Sequence, residues 1–535
     1  MKLHASFAAL AFALAATSPV SAQSAERKVD DVQQARSFSA EAALQSSCSL
    51  PRAGGRAETD ARSQLERIAQ LNGGEDGLNA VISVNPDAVC EAALAGLGGE
   101  PLGGRAVLVK DNIETRELPT TAGSLALLGN NTGRDAPLIA NLRAAGGVVL
   151  GKANLSEWAN IRDFSSTSGW SAVGGLTRNP HGIDRNTCGS SSGSAAAVAA
   201  GFAWAAIGTE TNGSITCPAS INGVVGFKPT VGMVSRTHVV PISSTQDTAG
   251  PMAMSVGDAA MLLGAIAGSD PADPATAEAD RYKRDFTEGL EDASLAGVRI
   301  GVMRGQIGDD DDVRAVFEQA LGDLEAAGAV LVDIEFEPDE EMSRDSFQIL
   351  LFELRDEMGK YLRSIPPIEG GDTPRSLADL IAFNKANAQT EMRWFGQGIF
   401  ELAETTTDRA AYESARENAL HLAGQQGIDR LMAENDVQFL VAPTRGPAWT
   451  SDLVNGDNFN GSIGFGSPAA IAGYPHLTVP MGGVEDLPVG LSIIGQKWQD
   501  WEVLKAGAAY ERARTATLPT PDFNRWQPAA GDPAP

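Results

Sequence analysis

The sequence predicts an α/β fold built as one large domain. Candidate strands are spread along the whole chain and alternate with helical segments, which is the pattern of a layered α/β protein. Hydrophobic residues make up 43% of the 535 residues, enough for a large core, and no repeat of fixed period divides the chain. The segments Val298–Val302, Val313–Ala327 and Val330–Phe336 form a predicted β-α-β unit, which implies parallel strands.

The other predicted elements follow from apolar runs bounded by Gly, Pro and polar residues. Strands are predicted at residues 79–84, 106–109, 148–150, 439–442, 477–479 and 490–494. Helices are predicted at residues 61–71, 88–95, 137–145, 256–267 and 502–514, and through most of 340–434. Residues 164–187 are rich in Ser, Gly and Asn and are predicted to form a long loop, which is usually a functional feature.

The first 22 residues have the features of a secretory signal peptide. A short basic end with Lys2 and His4 precedes the apolar run Phe7–Ala16, and Val20–Ala22 supplies small residues for cleavage. The apolar run is too short to span a bilayer. We therefore expect a periplasmic or secreted protein that begins near Gln23 and does not associate with a membrane after signal removal.

The predicted organisation has four parts. They are the signal peptide at 1–22, an N-terminal helical segment at 23–75, the main domain at 76–517 and a proline-rich tail at 518–535. Within the main domain, residues 340–434 are predicted to form a helical, cap-like insertion that shapes the substrate entrance.

The charge balance limits the partners of the protein. A formal net charge of −27 argues against nucleic acid, which needs a basic face, and against anionic membrane surfaces. The five histidines are scattered and no Cys/His cluster has ligand spacing, so no metal site is predicted. The Gly-rich turns lack the Lys-Ser/Thr pair of a phosphate loop, and no cofactor is expected.

The stretch Cys188–Pro218 organises the rest of the chain. Two Gly- and Ser-rich turns, residues 188–193 and 208–214, bracket the alanine-rich run Ala195–Ala205, which is predicted to be a buried helix. Small residues at this density can present backbone N–H groups to an anion, or to an oxygen that becomes one.

The four cysteines fall into two pairs by position. A disulfide between Cys48 and Cys90 is possible in an exported protein, although spacing alone does not determine pairing. Cys188 and Cys217 each lie beside one of the polar turns. We expect both to be free, buried thiols that behave as small hydrophobic residues.

Two types of hydrolytic site fit these residues. The first turn matches G-x-S-x-G with Ser191 as nucleophile, but that motif needs a hydrophobic strand leading into it and a histidine late in the chain. The residues before the turn form no strand, and His476 is better placed to cap one. The alternative uses Lys110, which ends the apolar run Val107–Val109, because burial lowers the pKa of an amine and allows it to act as a general base.

The lysine interpretation coincides with a resemblance to the amidase signature family, hydrolases of amide bonds that use a Ser-Ser-Lys triad. The family's lysine motif, Gly/Ser-rich signature and nucleophile turn resemble residues 109–113 (VKDNI), 188–194 (CGSSSGS) and 208–215 (GTETNGSI). Further landmarks at residues 247–251 and 487–491 extend the match over residues 79–514. The Thr-Glu-Thr form of the turn, followed by Cys217 and Pro218, looks most like the bacterial peptide amidases.

The resemblance implies a fold and a catalytic set. The fold is the amidase signature fold, a single domain with a central twisted mixed β-sheet surrounded by helices. Ser214 is then the nucleophile and Lys110 the base. Ser190, held by a cis peptide bond, is the proton relay between them.

The same resemblance implies the groups that bind the substrate. The backbone N–H groups of Thr211, Asn212, Gly213 and Ser214 form the oxyanion hole, and Ser166 resembles a supporting serine. Asn212 stands where many relatives have Gly, and Asn tolerates the left-handed backbone that Gly supplies. The turn can therefore keep its shape with Asn212, and we expect the Asn212 side chain to influence substrate preference.

The function predicted first is an exported amidase that hydrolyses linear carboxamide bonds, C-terminal peptide amides in particular, through a serine acyl-enzyme. The first alternative is an amidotransferase A-subunit-like protein for tRNA charging, and predicted export argues against it. The second alternative is a catalytically silent binding protein with the same fold. Retention of all three triad residues argues against that interpretation.

Overall fold

The fold is built on one eleven-stranded sheet and a small two-stranded sheet, in a computed structural model that describes residues 39–45, 55–337, 339–368 and 371–528. The predicted signal peptide at 1–22 and the cysteine at 48 lie outside the described residues. The strands are β1 (Val81–Val84), β2 (Ala106–Lys110), β3 (Val148–Ala153), β4 (Trp170–Ser171), β5 (Gly175–Leu176), β6 (Ala205–Glu210), β7 (Val225–Lys228), β8 (Thr248–Ala253), β9 (Arg299–Met303), β10 (Val330–Ile334), β11 (Phe439–Pro443), β12 (His476–Val484) and β13 (Leu487–Ile494).

The large sheet is mixed, as the resemblance implies. Its spatial order is β1-β3-β2-β6-β8-β7-β12-β13-β11-β9-β10. Strand β2 pairs in parallel with β3 and β6, and β9 pairs in parallel with β10 and β11. The other pairs are antiparallel. The predicted β-α-β unit is therefore confirmed as β9 and β10 with the helix between them.

Helices cover the sheet and fill most of residues 340–435. The α-helices are α1 (Ala40–Gln45), α2 (Arg56–Leu71), α3 (Ala88–Ala95), α4 (Pro137–Ala144), α5 (Ser192–Ala199), α6 (Thr216–Ile221), α7 (Val256–Ile266), α8 (Ala279–Tyr282), α9 (Asp311–Ala326), α10 (Glu340–Ser364), α11 (Leu377–Ala386), α12 (Ala388–Glu391), α13 (Gly398–Thr405), α14 (Arg409–Leu420), α15 (Arg430–Asn435), α16 (Gly466–Ala472) and α17 (Asp500–Ala513). A π-helical segment, His421–Asp429, joins α14 to α15. Within the described ranges, no helix combines the length and apolar character needed to cross a membrane.

Strand β2 shows how the sheet divides the core. Val107 and Val109 belong to one large hydrophobic cluster, whereas Ala106 and Leu108 belong to another that includes the alanines of α5. Successive side chains of a strand point to opposite faces, so Lys110 points to the face of Leu108. The sheet therefore directs Lys110 toward α5 and the turn that precedes it.

The alanine-rich segment forms a shorter helix than the predicted 195–205, and that prediction is corrected. Helix α5 stops at Ala199 because Gly201 has a left-handed φ of +70°. The N–H groups of Gly201 and Phe202 donate to the carbonyls of Val198 and Ala197, which is a Schellman motif. The chain then enters β6 at Ala205, and residues 208–210 of the predicted turn are strand because they pair with residues 248–250 of β8.

Close packing of α5 against the strands generates a stability prediction. A Cβ on Gly193 would lie 2.3 Å from the Ala80 carbonyl oxygen and 2.6 Å from backbone atoms of Asn154. Because these obstacles are backbone atoms, we expect Gly193→Ala to lower the free energy of unfolding by about 1–3 kcal/mol. Urea denaturation followed by circular dichroism measures the change.

The matched control is Gly322→Ala, in the exposed face of α9, where no atom lies within 4 Å of the added Cβ. There the substitution should stabilise the protein by about 0.5–1 kcal/mol, since alanine favours a helix over glycine. Equal effects of the two substitutions would contradict the packing described for α5.

Candidate active site

Lys110, the last residue of β2, is fully buried and faces the first Gly/Ser-rich turn. Its Nζ lies 2.8 Å from Ser190 Oγ, 2.8 Å from Thr209 Oγ1 and 3.1 Å from the Thr209 carbonyl oxygen. Burial lowers the pKa of Lys110 to about 7, and the charges of Asp247 and Glu210 oppose that shift. A neutral Lys110 amine can donate twice to Thr209 and accept a proton from the Ser190 hydroxyl.

Lys110 differs from the other buried lysine on this edge of the sheet. Lys152, on β3, has Asp111 Oδ1 at 3.3 Å. In the described part of the chain, no carboxylate oxygen comes within 4.0 Å of Lys110. Lys110 is therefore held by neutral oxygen atoms alone, which is the environment that a neutral amine requires.

Ser190 follows a cis peptide bond from Gly189 and is completely buried. Its carbonyl oxygen accepts a hydrogen bond of 3.0 Å from the Ser156 N–H. A Cβ on Gly189 would lie 2.1 Å from Ser156 Oγ, so only glycine fits before Ser190. The tight turn keeps the Ser190 hydroxyl against Lys110.

Ser214 lies on the second turn, two residues before α6, and is half-buried. The Ser191 N–H donates to the Ser214 carbonyl oxygen at 3.1 Å, so the two turns are in contact. Ser214 lines a cavity, whereas Ser190 and Lys110 lie beneath it. The structure therefore puts Lys110 in direct contact with Ser190 and places Ser214 on the adjoining turn.

The turn before α6 exposes a row of backbone donors. Among the residues that the structure describes, the N–H groups of residues 211–214 find no acceptor. The left-handed residue of this turn is Gly213, with φ +81°, and not Asn212. The turn therefore does not use the tolerance of Asn212 for a left-handed backbone. Asn212 lines the cavity, and its Oδ1 accepts a hydrogen bond of 3.2 Å from Ser467 Oγ.

Two carboxylates, the buried Glu210 and the half-buried Asp247, hold the ends of this turn. Glu210 Oε2 accepts hydrogen bonds from the N–H groups of Ile215, at 2.8 Å, and Thr216, at 3.0 Å. Asp247 accepts from Thr211 Oγ1 at 2.6 Å and from the N–H groups of residues 242 and 243, both at 2.8 Å, and burial raises the pKa of Asp247. The sequence patterns predict a role for neither carboxylate.

Cys188 and Cys217 form a disulfide, which corrects the expectation of two free thiols. They are 29 residues apart in sequence, but β6 carries the chain back so that their Cα atoms are 6.0 Å apart. The bond joins the turn of Ser190 to the helix that follows Ser214, and both cysteines line the cavity. Cys90 is disulfide-bonded as well, and its predicted partner lies outside the described residues.

Ser166 does not lie in the cavity. Its N–H donates to the Asp163 carbonyl oxygen at 3.4 Å, and the residue that lines the cavity from the same loop is Ser168. Ser168 donates to Asp457 from its Oγ, at 2.5 Å, and from its N–H, at 3.0 Å. A supporting role for Ser166 stays a prediction, while Ser168 and Asp457 are cavity residues that no sequence motif indicates.

The G-x-S-x-G interpretation finds no matching geometry. Ser191 is fully buried, its Oγ donates to the Thr209 carbonyl oxygen at 3.1 Å, and it accepts from the Thr209 N–H at 3.2 Å. His476 is buried at the start of β12, where its Nε2 lies 2.7 Å from Ser492 Oγ and burial lowers its pKa to about 4. Of the described residues that line the cavity, none is a histidine.

A left-handed segment forms one wall of the cavity. Trp158, Ala159 and Asn160 have φ values of 51°, 54° and 72°. A fully buried ion pair between Glu157 and Arg162 holds both ends of this segment. The side-chain oxygen of Asn160 is buried and accepts no hydrogen bond from the described residues, so it is available to a substrate N–H.

The cavity has a volume of about 240 Å³. A larger, open cleft of about 1800 Å³ lies beside α10 and α14, but none of the triad residues lines it. The smaller cavity is therefore the candidate active site. Its lining residues are Ala159, Asn160, Ile161, Ser168, Cys188, Gly189, Thr211, Asn212, Gly213, Ser214, Cys217, Ile242, Leu350, Arg445, Trp449, Asp457 and Phe459.

Comparison with known proteins agrees with this fold. The family model described as Amidase matches residues 62–504. The chain therefore belongs to the amidase family and is a hydrolase of amide bonds.

Three similar proteins show which members of the family this chain resembles. A probable amidase of Arabidopsis thaliana is 37% identical over 475 residues, which cover 85% of this chain and 86% of the relative. The solved structure of the peptide amidase from Stenotrophomonas maltophilia is 47% identical, covers 87% of this chain and 95% of its own, and has a TM-score of 0.81. A glutamyl-tRNA(Gln) amidotransferase chain of Symbiobacterium thermophilum is 35% identical over 84% of this chain and 92% of its own length.

The position of the disulfide generates a prediction. Replacing Cys188 and Cys217 together with Ala opens a loop of 29 residues, and loop-closure entropy predicts a loss of about 3–4 kcal/mol in the free energy of unfolding. The denaturation midpoint of the double variant should fall accordingly. The control is wild type denatured without reductant, because reduction would also open the disulfide of Cys90. An unchanged midpoint in the double variant would contradict a structural role for the bond between Cys188 and Cys217.

Proposed function

We propose that this amidase is exported and hydrolyses linear carboxamides, C-terminal peptide amides in particular, through an acyl-enzyme on Ser214. The observation that carries the proposal is the 2.8 Å contact between Lys110 Nζ and Ser190 Oγ beneath the cavity that Ser214 lines. With its pKa lowered to about 7, Lys110 has a large neutral fraction at neutral pH. A serine hydroxyl needs such a base to become a nucleophile.

Acylation follows from this arrangement. Ser214 Oγ attacks the amide carbon while its proton passes to Ser190 Oγ, and the Ser190 proton passes to Lys110 Nζ. The carbonyl oxygen gains negative charge and takes hydrogen bonds from the N–H groups of residues 211–214, for which the described residues provide no other acceptor. The C–N bond then breaks as Ser190 gives a proton to the leaving nitrogen and regains one from Lys110.

Deacylation reverses the roles with water in place of the amine. Water enters the site that ammonia has left and attacks the acyl carbon while it gives a proton to Ser190, whose own proton passes to Lys110. The Ser214 oxygen leaves with a proton from Ser190, and the products are a carboxylic acid and the free enzyme. The proton that the acid releases passes to solvent.

The cavity favours a small leaving group. At about 240 Å³ it is smaller than the pockets that hold drug-sized ligands, and the Asn160 oxygen offers an acceptor for an amide N–H. The Stenotrophomonas maltophilia relative is a peptide amidase by name, and its 47% identity exceeds the 35% of the Symbiobacterium amidotransferase chain. Both observations support unsubstituted carboxamides as the substrates.

Export is supported by two independent features. The first 22 residues have the composition of a signal peptide. The Cys188–Cys217 disulfide lies inside the site, and structural disulfides persist mainly in oxidising compartments such as the periplasm and the cell exterior.

The proposed triad predicts a large loss of activity when any one of its three residues is replaced. Ser214→Ala, Ser190→Ala and Lys110→Ala should each lower kcat/KM for ammonia release from a peptide amide by at least about 1,000-fold, because the three residues act as one unit. Ammonia is measured by a coupled assay on a panel of peptide amides. The matched control, Ser414→Ala on the exposed face of α14, should retain wild-type activity.

Two results would overturn the assignment. Unchanged turnover in Ser214→Ala would remove Ser214 as the nucleophile. Loss of activity in Ser191→Ala with activity retained in Ser190→Ala would support the G-x-S-x-G site instead.

The lowered pKa of Lys110 predicts the pH dependence. Lys110 must be neutral to accept a proton, so kcat/KM should rise with pH through an apparent pKa of about 7 and level off above it. The Asp247 charge raises the pKa of Lys110, so Asp247→Asn should move this acidic limb to lower pH. A pH profile without a limb between pH 6 and 8, or a limb that Asp247→Asn moves upward, would contradict the role of Lys110.

A further inference from the structure

Arg445 is a cation in the candidate active site, and no described acid forms an ion pair with it. It follows β11, lines the same cavity as Ser214 and is half-buried. In the described part of the chain, it makes no hydrogen bond, and no carboxylate oxygen lies within 4.0 Å of its guanidinium nitrogens. Most of the other described arginines are paired with an acid or a carbonyl oxygen.

The position of Arg445 is fixed from both sides. Thr444, just before it, donates from its N–H to the Gly490 carbonyl oxygen at 2.7 Å, and its Oγ1 lies 2.7 Å from Thr478 Oγ1. The guanidinium carbon lies 4.7 Å from the centre of the Phe459 ring. The arginine is therefore held over an aromatic face at the cavity wall.

The acids near Arg445 are engaged elsewhere. Asp457 lines the cavity but accepts from Ser168 and from Asn186 Nδ2 at 3.4 Å. Glu210 caps the N-terminus of α6, and its charge acts on Arg445 only over a longer distance. Burial lowers the pKa of Arg445, as expected for a guanidinium without a close counter-ion among the described residues.

We propose that Arg445 forms a subsite for an anionic group, so that the preferred substrates are carboxamides that carry a carboxylate close to the scissile bond. A desolvated guanidinium without a counter-ion is costly, and a bound carboxylate restores the pair that the folded protein lacks. The planar guanidinium group can donate two parallel hydrogen bonds to a carboxylate. The cavity of about 240 Å³ keeps the bound anion near Ser214.

This inference rests on the proposed amidase reaction, and peptide pairs that differ only in charge test it. The probes are N-acetylated tripeptide amides with Glu or Gln at one of the three positions, and cleavage of the C-terminal amide is followed by chromatography because the Gln side chain is itself a carboxamide. For at least one position we expect the wild-type kcat/KM to favour Glu over Gln by about 10-fold or more, as charge-assisted hydrogen bonds allow. The ratio should fall to about 1 in Arg445→Met and take an intermediate value in Arg445→Lys.

The control variant is Arg393→Met, an exposed arginine outside the cavity, which should keep the wild-type ratio. The proposal would be overturned if the wild-type kcat/KM for the Glu peptide, divided by that for the Gln peptide, were 1 or less at all three positions. An equal ratio in wild type and Arg445→Met would also overturn it, and an equal loss for both peptides would show that Arg445 only offsets the charge of Glu210.

A separate measurement distinguishes failure of the subsite from failure of the proposed function. If none of the amides is hydrolysed, the proposed function fails, and calorimetric binding of the same peptides to Ser214→Ala still tests the subsite. Tighter binding of the Glu peptide by about 10-fold, lost on adding Arg445→Met, supports it. Equal binding of the Glu and Gln peptides contradicts it.

Discussion

Burial of Lys110 without a paired carboxylate is the constraint on which the rest of the site depends. An ammonium in that position is desolvated, and the pKa falls to about 7 for that reason. Burial alone does not define a base, because Lys228 is equally buried and its pKa is lowered to about 8, yet its Nζ donates to the Pro229 carbonyl oxygen. What distinguishes Lys110 is the serine hydroxyl of Ser190 in contact with its nitrogen.

The surrounding structure keeps that contact and places Ser214 above it. Strand β2 delivers the lysine, the turn at Gly189 delivers Ser190, and β6 brings the chain back to Ser214. Glu210 and Asp247 hold the two ends of the turn that carries Ser214, and the disulfide joins the turn of Ser190 to the helix that follows Ser214. The rigidity of the site therefore comes from many short links and does not depend on one large hydrophobic contact.

The sequence predicted the parts of the site that lie in continuous motifs. The lysine at a strand end and the two Ser-bearing turns are local patterns, and their contact could be expected from the family resemblance. Asn160, Asp457 and Arg445 come from separate segments, so nothing near them in sequence marks them as cavity residues.

The predictions that the structure corrects fail because tertiary contacts decide them. The preference of alanine for helices predicts one helix over residues 195–205, but the left-handed Gly201 ends the helix at Ala199 and strand pairing begins at Ala205. The pairing of Cys188 with Cys217 depends on β6 returning the chain, which no spacing rule reveals.

The measurement that tests the account most directly is the titration of Lys110 itself. Selective labelling of the lysine Cε atoms with ¹³C allows each amine to be followed by NMR, and Lys110→Met assigns the signal. The account predicts a titration midpoint near pH 7 for Lys110 in the free enzyme. A midpoint near the ordinary lysine value of about 10.4 would contradict it, since an amine charged at neutral pH cannot take the proton from Ser190.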